Sequence, residues 1–365
     1  MTMRTILLNP GPVTLSERVR AALGRGDWCH REPEFARLMQ DINARLTAVY
    51  PLLQGEFSAA TLAASGTGAV EAMLATFAPT EGGTLVVANG VYGERMARML
   101  KAQGKPHRVL EHGWLQAIDP AGIGKALEQA PELTHLAVVH LETTTGRLND
   151  LDAIGALCRE RGVTLLLDAV SSFGALRVEG EAWNLGALAA TANKCLHGAP
   201  GLSFVLAADT LWRQDAVPAG SVYLDLRPYH AGQHGSGFSP FTLPVQIAFA
   251  LQEALMEHAE QGGVATRHAS YRARAERVCA ALTAAGVTPL LDAGVGSPVL
   301  VSWRLPQGQS YEALHDALKA QGFVIYAGQG SLGPEIFRIA HMGDIRADDV
   351  ERLCEALARL CRAHA

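Results

Sequence analysis

The chain contains no uninterrupted apolar run approaching the roughly 18 residues of a membrane span, so no membrane association is expected. Metal-binding spacings are missing too. The six cysteines, Cys29, Cys158, Cys195, Cys279, Cys354 and Cys361, form no CxxC pair, and the thirteen histidines form no HExxH pattern. A metal site is therefore not expected, and scattered thiols in a long chain suggest reduced cysteines in a cytoplasmic protein. There is no excess of positive charge: 31 Lys and Arg against 36 Asp and Glu give a net charge of -5, which argues against a nucleic-acid binder. The apolar stretch Ile6-Leu7-Leu8, followed by Asn9-Pro10-Gly11-Pro12, is too short for the core of a signal peptide. Neither a Walker loop nor the GxGxxG dinucleotide fingerprint occurs, and there is no internal repeat.

What the chain has is material for a large core: 48% hydrophobic and 18% charged residues over 365 positions. Apolar runs at 84–88, 136–141, 163–167, 188–191 and 202–206 predict strands buried on both faces. Helical patterns at 68–77, 92–103, 120–129 and 151–161 alternate with them. The alternation predicts an α/β fold, a large domain with a mostly parallel central sheet flanked by helices and the site at the C-terminal strand ends. The stretch 218–244, with its Gly, His, Tyr and Pro residues, reads as a long functional loop. Beyond it, helices over 245–260 and 264–285, short strands and a closing helix over 348–362 read as a smaller α+β C-terminal domain. The expected division is an N-terminal segment 1–20, a large domain 21–255 and a small domain 256–365.

Two residues carry the most chemistry. Asp168 ends the run Val163-Thr164-Leu165-Leu166-Leu167, and Lys194 follows Ala187-Leu188-Ala189-Ala190-Thr191-Ala192-Asn193. A carboxylate at one buried strand end and a lysine just past the next suit a pyridoxal phosphate site. There the lysine condenses with the cofactor aldehyde and the carboxylate keeps the pyridine nitrogen protonated. Ser65-Gly66-Thr67-Gly68 precedes a helix, so its free backbone N–H groups and the helix dipole suit a phosphate. Tyr92, in Asn89-Gly90-Val91-Tyr92-Gly93, is placed to stack on a planar ring or to pack on its helix. In Glu142-Thr143-Thr144-Thr145-Gly146, three adjacent threonines at a strand end are unusual as core, and some should face a ligand. Arg338, in Phe337-Arg338-Ile339-Ala340, is an arginine in an apolar strand, where it needs either an anion or a neighbouring acidic side chain.

These motifs together resemble the class V group of fold-type I pyridoxal phosphate aminotransferases. Asn9-Pro10-Gly11-Pro12, Asp27-Trp28-Cys29, Asp168-Ala169-Val170-Ser171-Ser172-Phe173-Gly174, Ala192-Asn193-Lys194-Cys195 and Phe323-Val324-Ile325-Tyr326 also match, nearly end to end. Within that family the chain is most similar to members that pass an amino group from 2-aminoethylphosphonate to pyruvate. The resemblance implies a cofactor held by Lys194, paired with Asp168, and flanked by Val170 and Tyr92. It also implies phosphate contacts from Ser65, Gly66 and Thr67, and Thr143 near the phenolic oxygen. It implies a homodimer in which Thr242 of one subunit completes the phosphate site of the other. Arg338, Pro12 and His30 would meet the substrate. The segment His30-Arg31-Glu32-Pro33-Glu34-Phe35 is closer to alanine–glyoxylate and serine–pyruvate relatives, and His197 stands where glutamine is expected. The competing activities are therefore transamination with those carboxylate donors and, from another reaction class, a pyridoxal phosphate lyase or desulfurase using Cys195.

Overall fold

A computed structural model describes residues 4–215 and 218–362. Its centre is a seven-stranded sheet of β1 (Phe57–Ala63), β2 (Thr84–Ala88), β3 (His107–Glu111), β4 (His135–Val139), β5 (Thr164–Asp168), β6 (Leu185–Thr191) and β7 (Leu202–Ala208). The spatial order is β1-β7-β6-β5-β4-β2-β3. The five strands from β6 to β3 run parallel; β7 is antiparallel to both of its neighbours, so β1 at the edge points the same way as those five.

Successive residues of each strand enter opposite cores. Leu165 and Leu167 pack on one face with Leu136, Val138, Leu188 and Phe204. Leu166 packs on the other with Val86, Ala137, Ala189 and Val205. Both faces are covered, so the period-2 alternation of an exposed sheet disappears and the runs read as continuously apolar. The first face is covered by α1 (Pro33–Ala48), and the second by α2 (Gly66–Phe77) and α3 (Val91–Ala102). Helices α4 (Leu151–Arg161) and α5 (Val245–Glu260) also lie on the first face.

Helix α6 (Gly263–Ala284) leads to the C-terminal elements: a three-stranded antiparallel sheet of β8 (Leu300–Arg304), β9 (Tyr326–Ala327) and β10 (Ile336–Ala340), and helix α7 (Ala347–Arg362). A separate core joins Val278, Leu282, Trp303, Phe323, Phe337 and Leu353. Ile6 and Leu8 belong to that core, because Ile6–Leu7 pairs in parallel with Phe323–Val324.

Three elements depart from the sequence reading. The stretch 218–244 is not all loop: Leu226–His234 is a helix, started by Asp225, which accepts from the Arg227 N–H. It buries Leu226 and Tyr229 in the core of the second face and Gln233 among polar groups. Gln233 is buried, donates to the Thr61 carbonyl at 2.6 Å and to Ser239 Oγ at 2.7 Å, and accepts from Asn43 Nδ2 at 2.9 Å. Two apolar anchors in nine residues, among Arg227, Pro228, His230, Gly232 and His234, are too few for apolar periodicity to mark a helix. Strand β3 carries no apolar signal because it is an edge strand with His107, Arg108 and Glu111 in five residues. Strand β1 is missing from the predicted runs because Ser58, Thr61 and three alanines dilute its apolar signal, although it runs in the direction of the parallel strands and leads into α2 like them.

Candidate active site

Parallel strands bring their C-terminal ends to one edge of the sheet, and the motif residues collect there. Asp168 is the last residue of β5, in register with Ala189 of β6, and two residues beyond β6 the turn reaches Asn193 and Lys194. Lys194 Nζ donates to Ser171 Oγ at 2.9 Å and lies 6.0 Å from the centroid of the Tyr92 ring. The chain around Gly11 packs on this turn: a Cβ at Gly11 would stand 3.2 Å from Lys194 Cγ, at a backbone φ of +118° that side chains avoid. Pro12 follows, solvent-exposed, its carbonyl accepting from Asn9 Nδ2.

Asp168 is buried and accepts from the Val170 N–H at 3.0 Å. Burial pushes its carboxyl above the usual range, against the opposing pull of that N–H and of the Lys194 and Arg95 charges. Such a carboxylate lacks a full positive partner and is poised to receive one.

The turn before α2 faces the same cleft. Ser65 caps α2, its side chain accepting from the Gly68 N–H. A Cβ on Gly66 would lie 2.7 Å from Val170 Cγ1, so only glycine lets the helix start sit this close to the segment after Asp168. Thr67 Oγ1 accepts a hydrogen bond from Arg95 at 3.0 Å, and the Arg95 guanidinium lies 4.8 Å from the Tyr92 ring centroid. Thr67, Tyr92, Arg95, Asp168 and Val170 line one narrow cavity. Arg95 escaped the sequence reading, although it sits one helical turn from Tyr92, on the same side of α3.

Glu142 is fully buried and organises the neighbouring turns. Its carboxylate accepts from the Tyr92 and Gly93 N–H groups at 3.3 and 3.4 Å, and from Thr144 Oγ1 at 2.6 Å. Burial raises its pKa. Of the three threonines, Thr144 is absorbed in this structural bonding, while the hydroxyls of Thr143 and Thr145 are buried without a partner.

Arg338, on β10, is completely buried. Its Nε donates to the Ala327 carbonyl at 2.8 Å and its Nη1 to the Thr143 carbonyl at 2.6 Å, with Gln329 Oε1 at 3.3 Å. Nη2 has no partner. Among the described residues no carboxylate forms an ion pair with it. Burial lowers its pKa, yet guanidinium stays charged. An unpaired buried N–H costs about 1–3 kcal/mol, so the site is incomplete without an acceptor.

His30 and Thr242 lie together rather than beside Lys194: His30 Nε2 and Thr242 Oγ1 are 3.3 Å apart on an exposed surface. Arg31 ties that segment to the Ser239 and Pro240 carbonyls. His197 is buried behind the lysine turn, accepting from the Gly343 N–H at 2.8 Å and paired with the Tyr271 hydroxyl at 2.6 Å. It connects the turn to Tyr271 of α6 and to Gly343 beyond β10. Cys195 is buried and its thiol is pushed up to about 12, mainly by burial, so it is a poor nucleophile. A far larger cavity, of about 870 Å³, opens between Tyr50, His140, Trp183 and His268 on the first face of the sheet. It contains no lysine and none of the residues around Asp168, so size alone misplaces the chemistry.

Residues 34–348 match the family model described as aminotransferase class-V. A 2-aminoethylphosphonate–pyruvate transaminase of Pseudomonas putida is 34% identical over 99% of this chain and 98% of its own. One from Burkholderia ambifaria is 37% identical over 97% and 95%. Among solved structures, an aspartate aminotransferase of subgroup IV from Thermus thermophilus superposes with a TM-score of 0.89 at 26% identity, over 99% of this chain and 100% of that one. An alanine–glyoxylate aminotransferase from Nostoc sp. gives 0.89 at 27%, over 99% and 96%.

Proposed function

This chain belongs to the class-V aminotransferase family, and from that membership we propose that it transfers the amino group of 2-aminoethylphosphonate to pyruvate on pyridoxal 5′-phosphate. The products are phosphonoacetaldehyde and alanine. The observation that carries the acidic substrate is Arg338, fully buried, free of any carboxylate and with Nη2 unpartnered. The relatives named for the phosphonate reaction supply the donor.

The residues present fit the cofactor. The start of α2 at Ser65, Gly66 and Thr67, the buried carboxyl of Asp168 and the orphaned hydroxyl of Thr143 match its phosphate end, its ring nitrogen and its phenolic oxygen. Lys194 would hold its aldehyde, Tyr92 and Val170 its two faces, and Ser65, Gly66 and Thr67 its phosphate, with Arg95 alongside. When bound, pyridoxal phosphate supplies an electron sink for the carbanion at the substrate α-carbon. Asp168 would stabilise positive charge at the ring nitrogen, and that charge would relieve its own buried carboxylate. Lys194 Nζ, oriented by Ser171 Oγ, would carry the proton between the substrate α-carbon and the cofactor. Arg338 binds the acid group of donor and of pyruvate in turn, as a ping-pong exchange requires. The exposed pair Thr242 and His30 would act in a homodimer, reaching the phosphate and substrate of the partner's site.

The test is an absorption titration of the holoprotein with 2-aminoethylphosphonate and no keto acid. Conversion of the cofactor to its amine form, reversed by pyruvate, is expected. A spectrum that ignores the phosphonate but responds to alanine or serine replaces the donor with a carboxylate amino acid.

A further inference from the structure

At the acid end of the site, Arg338 has three occupied donor directions. Two end on backbone carbonyls, Ala327 at 2.8 Å and Thr143 at 2.6 Å. Ala327 is in β9, paired with Phe337 of β10, so that carbonyl cannot leave without moving the strands. The third, to Gln329 Oε1, is the longest at 3.3 Å and the only one made to a side chain. An acid that grips the guanidinium with two oxygens needs Nη1 as well as the free Nη2, and Gln329 is the partner there that can give way by a side-chain rotation.

We propose that Gln329 is a specificity-determining residue, its carboxamide oxygen holding the place on Arg338 Nη1 that the second oxygen of an acidic substrate takes. The inference rests on the reading of Arg338 as the acid anchor. Once displaced, the carboxamide offers its NH₂ in place of its oxygen. A carboxylate has no further oxygen for that donor, whereas a phosphonate has a third. Gln329 therefore favours the three-oxygen acid over the two-oxygen acid. Its loop is steadied from the large domain. A Cβ on Gly330 would lie 2.6 Å from Trp114 Cη2, and Trp114 Nε1 donates to Glu94 Oε1 at 2.7 Å. The Gln329 side chain is half-buried, and its contact with Arg338 is the one that orients it.

The experiment measures dissociation constants of two unreactive acids, ethylphosphonate and propionate, for the holoenzyme by calorimetry. Gln329→Ala is expected to weaken ethylphosphonate about tenfold, the scale of one charge-assisted hydrogen bond, and to leave propionate within about threefold. Gln329→Glu sets a carboxylate on Arg338 and should weaken both acids. Equal change in both acids, or none, with Gln329→Ala overturns the inference. Arg338→Lys and Arg338→Ala separate it from its premise. If they lose both acids while Gln329→Ala alters neither, the Gln329 step alone fails. If they bind both acids as the wild type does, the Arg338 reading fails with it.

Discussion

The cofactor end and the acid end of this site are built in different ways. At the cofactor end, Asp168, Lys194, Tyr92 and the Ser65 turn all leave the C-terminal edge of one sheet, and the register of β5 and β6 sets their spacing. At the acid end, Arg338 and Gln329 come from the C-terminal elements and Thr143 and Trp114 from around the central sheet, with Arg338 and Thr143 nearly two hundred residues apart. The first arrangement is rigid because the backbone hydrogen-bond ladder fixes it. The second depends on side-chain hydrogen bonds from Arg338 and Trp114 and on the Trp114 ring against Gly330. Chemistry common to a family belongs on the rigid part, and choice of substrate on the part that can change by a single replacement.

The largest effect expected is at the cofactor end. Lys194→Ala should lower kcat by on the order of 10⁴-fold, the upper range for a positioned proton carrier. Its side chain is half-buried and donates to Ser171 Oγ, so the melting temperature should barely move. Turnover near wild type would remove the lysine from the mechanism. Asp168→Asn comes next, with a loss of about 10²–10³-fold, typical of removing one electrostatic stabiliser. The amide oxygen can still accept from the Val170 N–H, and a buried charge disappears. The cofactor-free variant should therefore be no less stable than the wild type near neutral pH. Lower stability without a fall in kcat would make Asp168 a structural residue.

Legibility in the sequence follows the same division. Lys194 and Asp168 stand out because continuous apolar runs mark strands buried on both faces, and a charge at the end of such a run sits where a doubly wound sheet opens to a ligand. Arg338 stands out because an apolar strand on both sides of it leaves the guanidinium no route to water. Gln329 and Trp114 give no signal, since a glutamine between glycines and a tryptophan in a loop have ordinary local readings. Their meaning depends on contacts between the C-terminal elements and the region of the central sheet. Arg95 lies between these cases, readable only once Tyr92 is placed on a helix. The helix Leu226–His234 is hidden because it is short and carries only two apolar anchors, Leu226 and Tyr229, among Pro, Gly and His residues.

A smaller effect is expected from Trp114→Phe, which keeps a ring against Gly330 but loses the bond to Glu94. KM for pyruvate should rise about threefold, near the value of one half-buried hydrogen bond, with kcat unchanged. A fall in kcat instead would tie Trp114 to the cofactor end through Glu94 and α3, and would erase the division.

The smallest kinetic effect, and a sharp test of whether the two ends unfold together, comes from buried histidines. His258 Nε2 donates to the Gly174 carbonyl at 2.7 Å, just beyond the Asp168 segment. His341 Nδ1 donates to the Pro298 carbonyl at 2.9 Å, beside β10. Against a carbonyl each ring nitrogen must be the donor. Burial lowers both to about 4, from an ordinary 6.5. Below pH 6.5 the unfolded chain takes up protons that the folded chain refuses until about pH 4. Stability should therefore be level above pH 6.5 and fall as pH drops through that window. Each histidine contributes on the order of 2–3 kcal/mol to the fall. Glutamine can donate to the same carbonyls without titrating, so His258→Gln and His341→Gln should each flatten the melting temperature between pH 4 and 6.5 without altering kcat at pH 8. If the domains melt as one unit, the two variants flatten the profile alike. If His341→Gln leaves it unchanged while His258→Gln does not, the acid end opens before the cofactor end. The looser construction at Arg338 would then be a difference in local stability as well as in contacts.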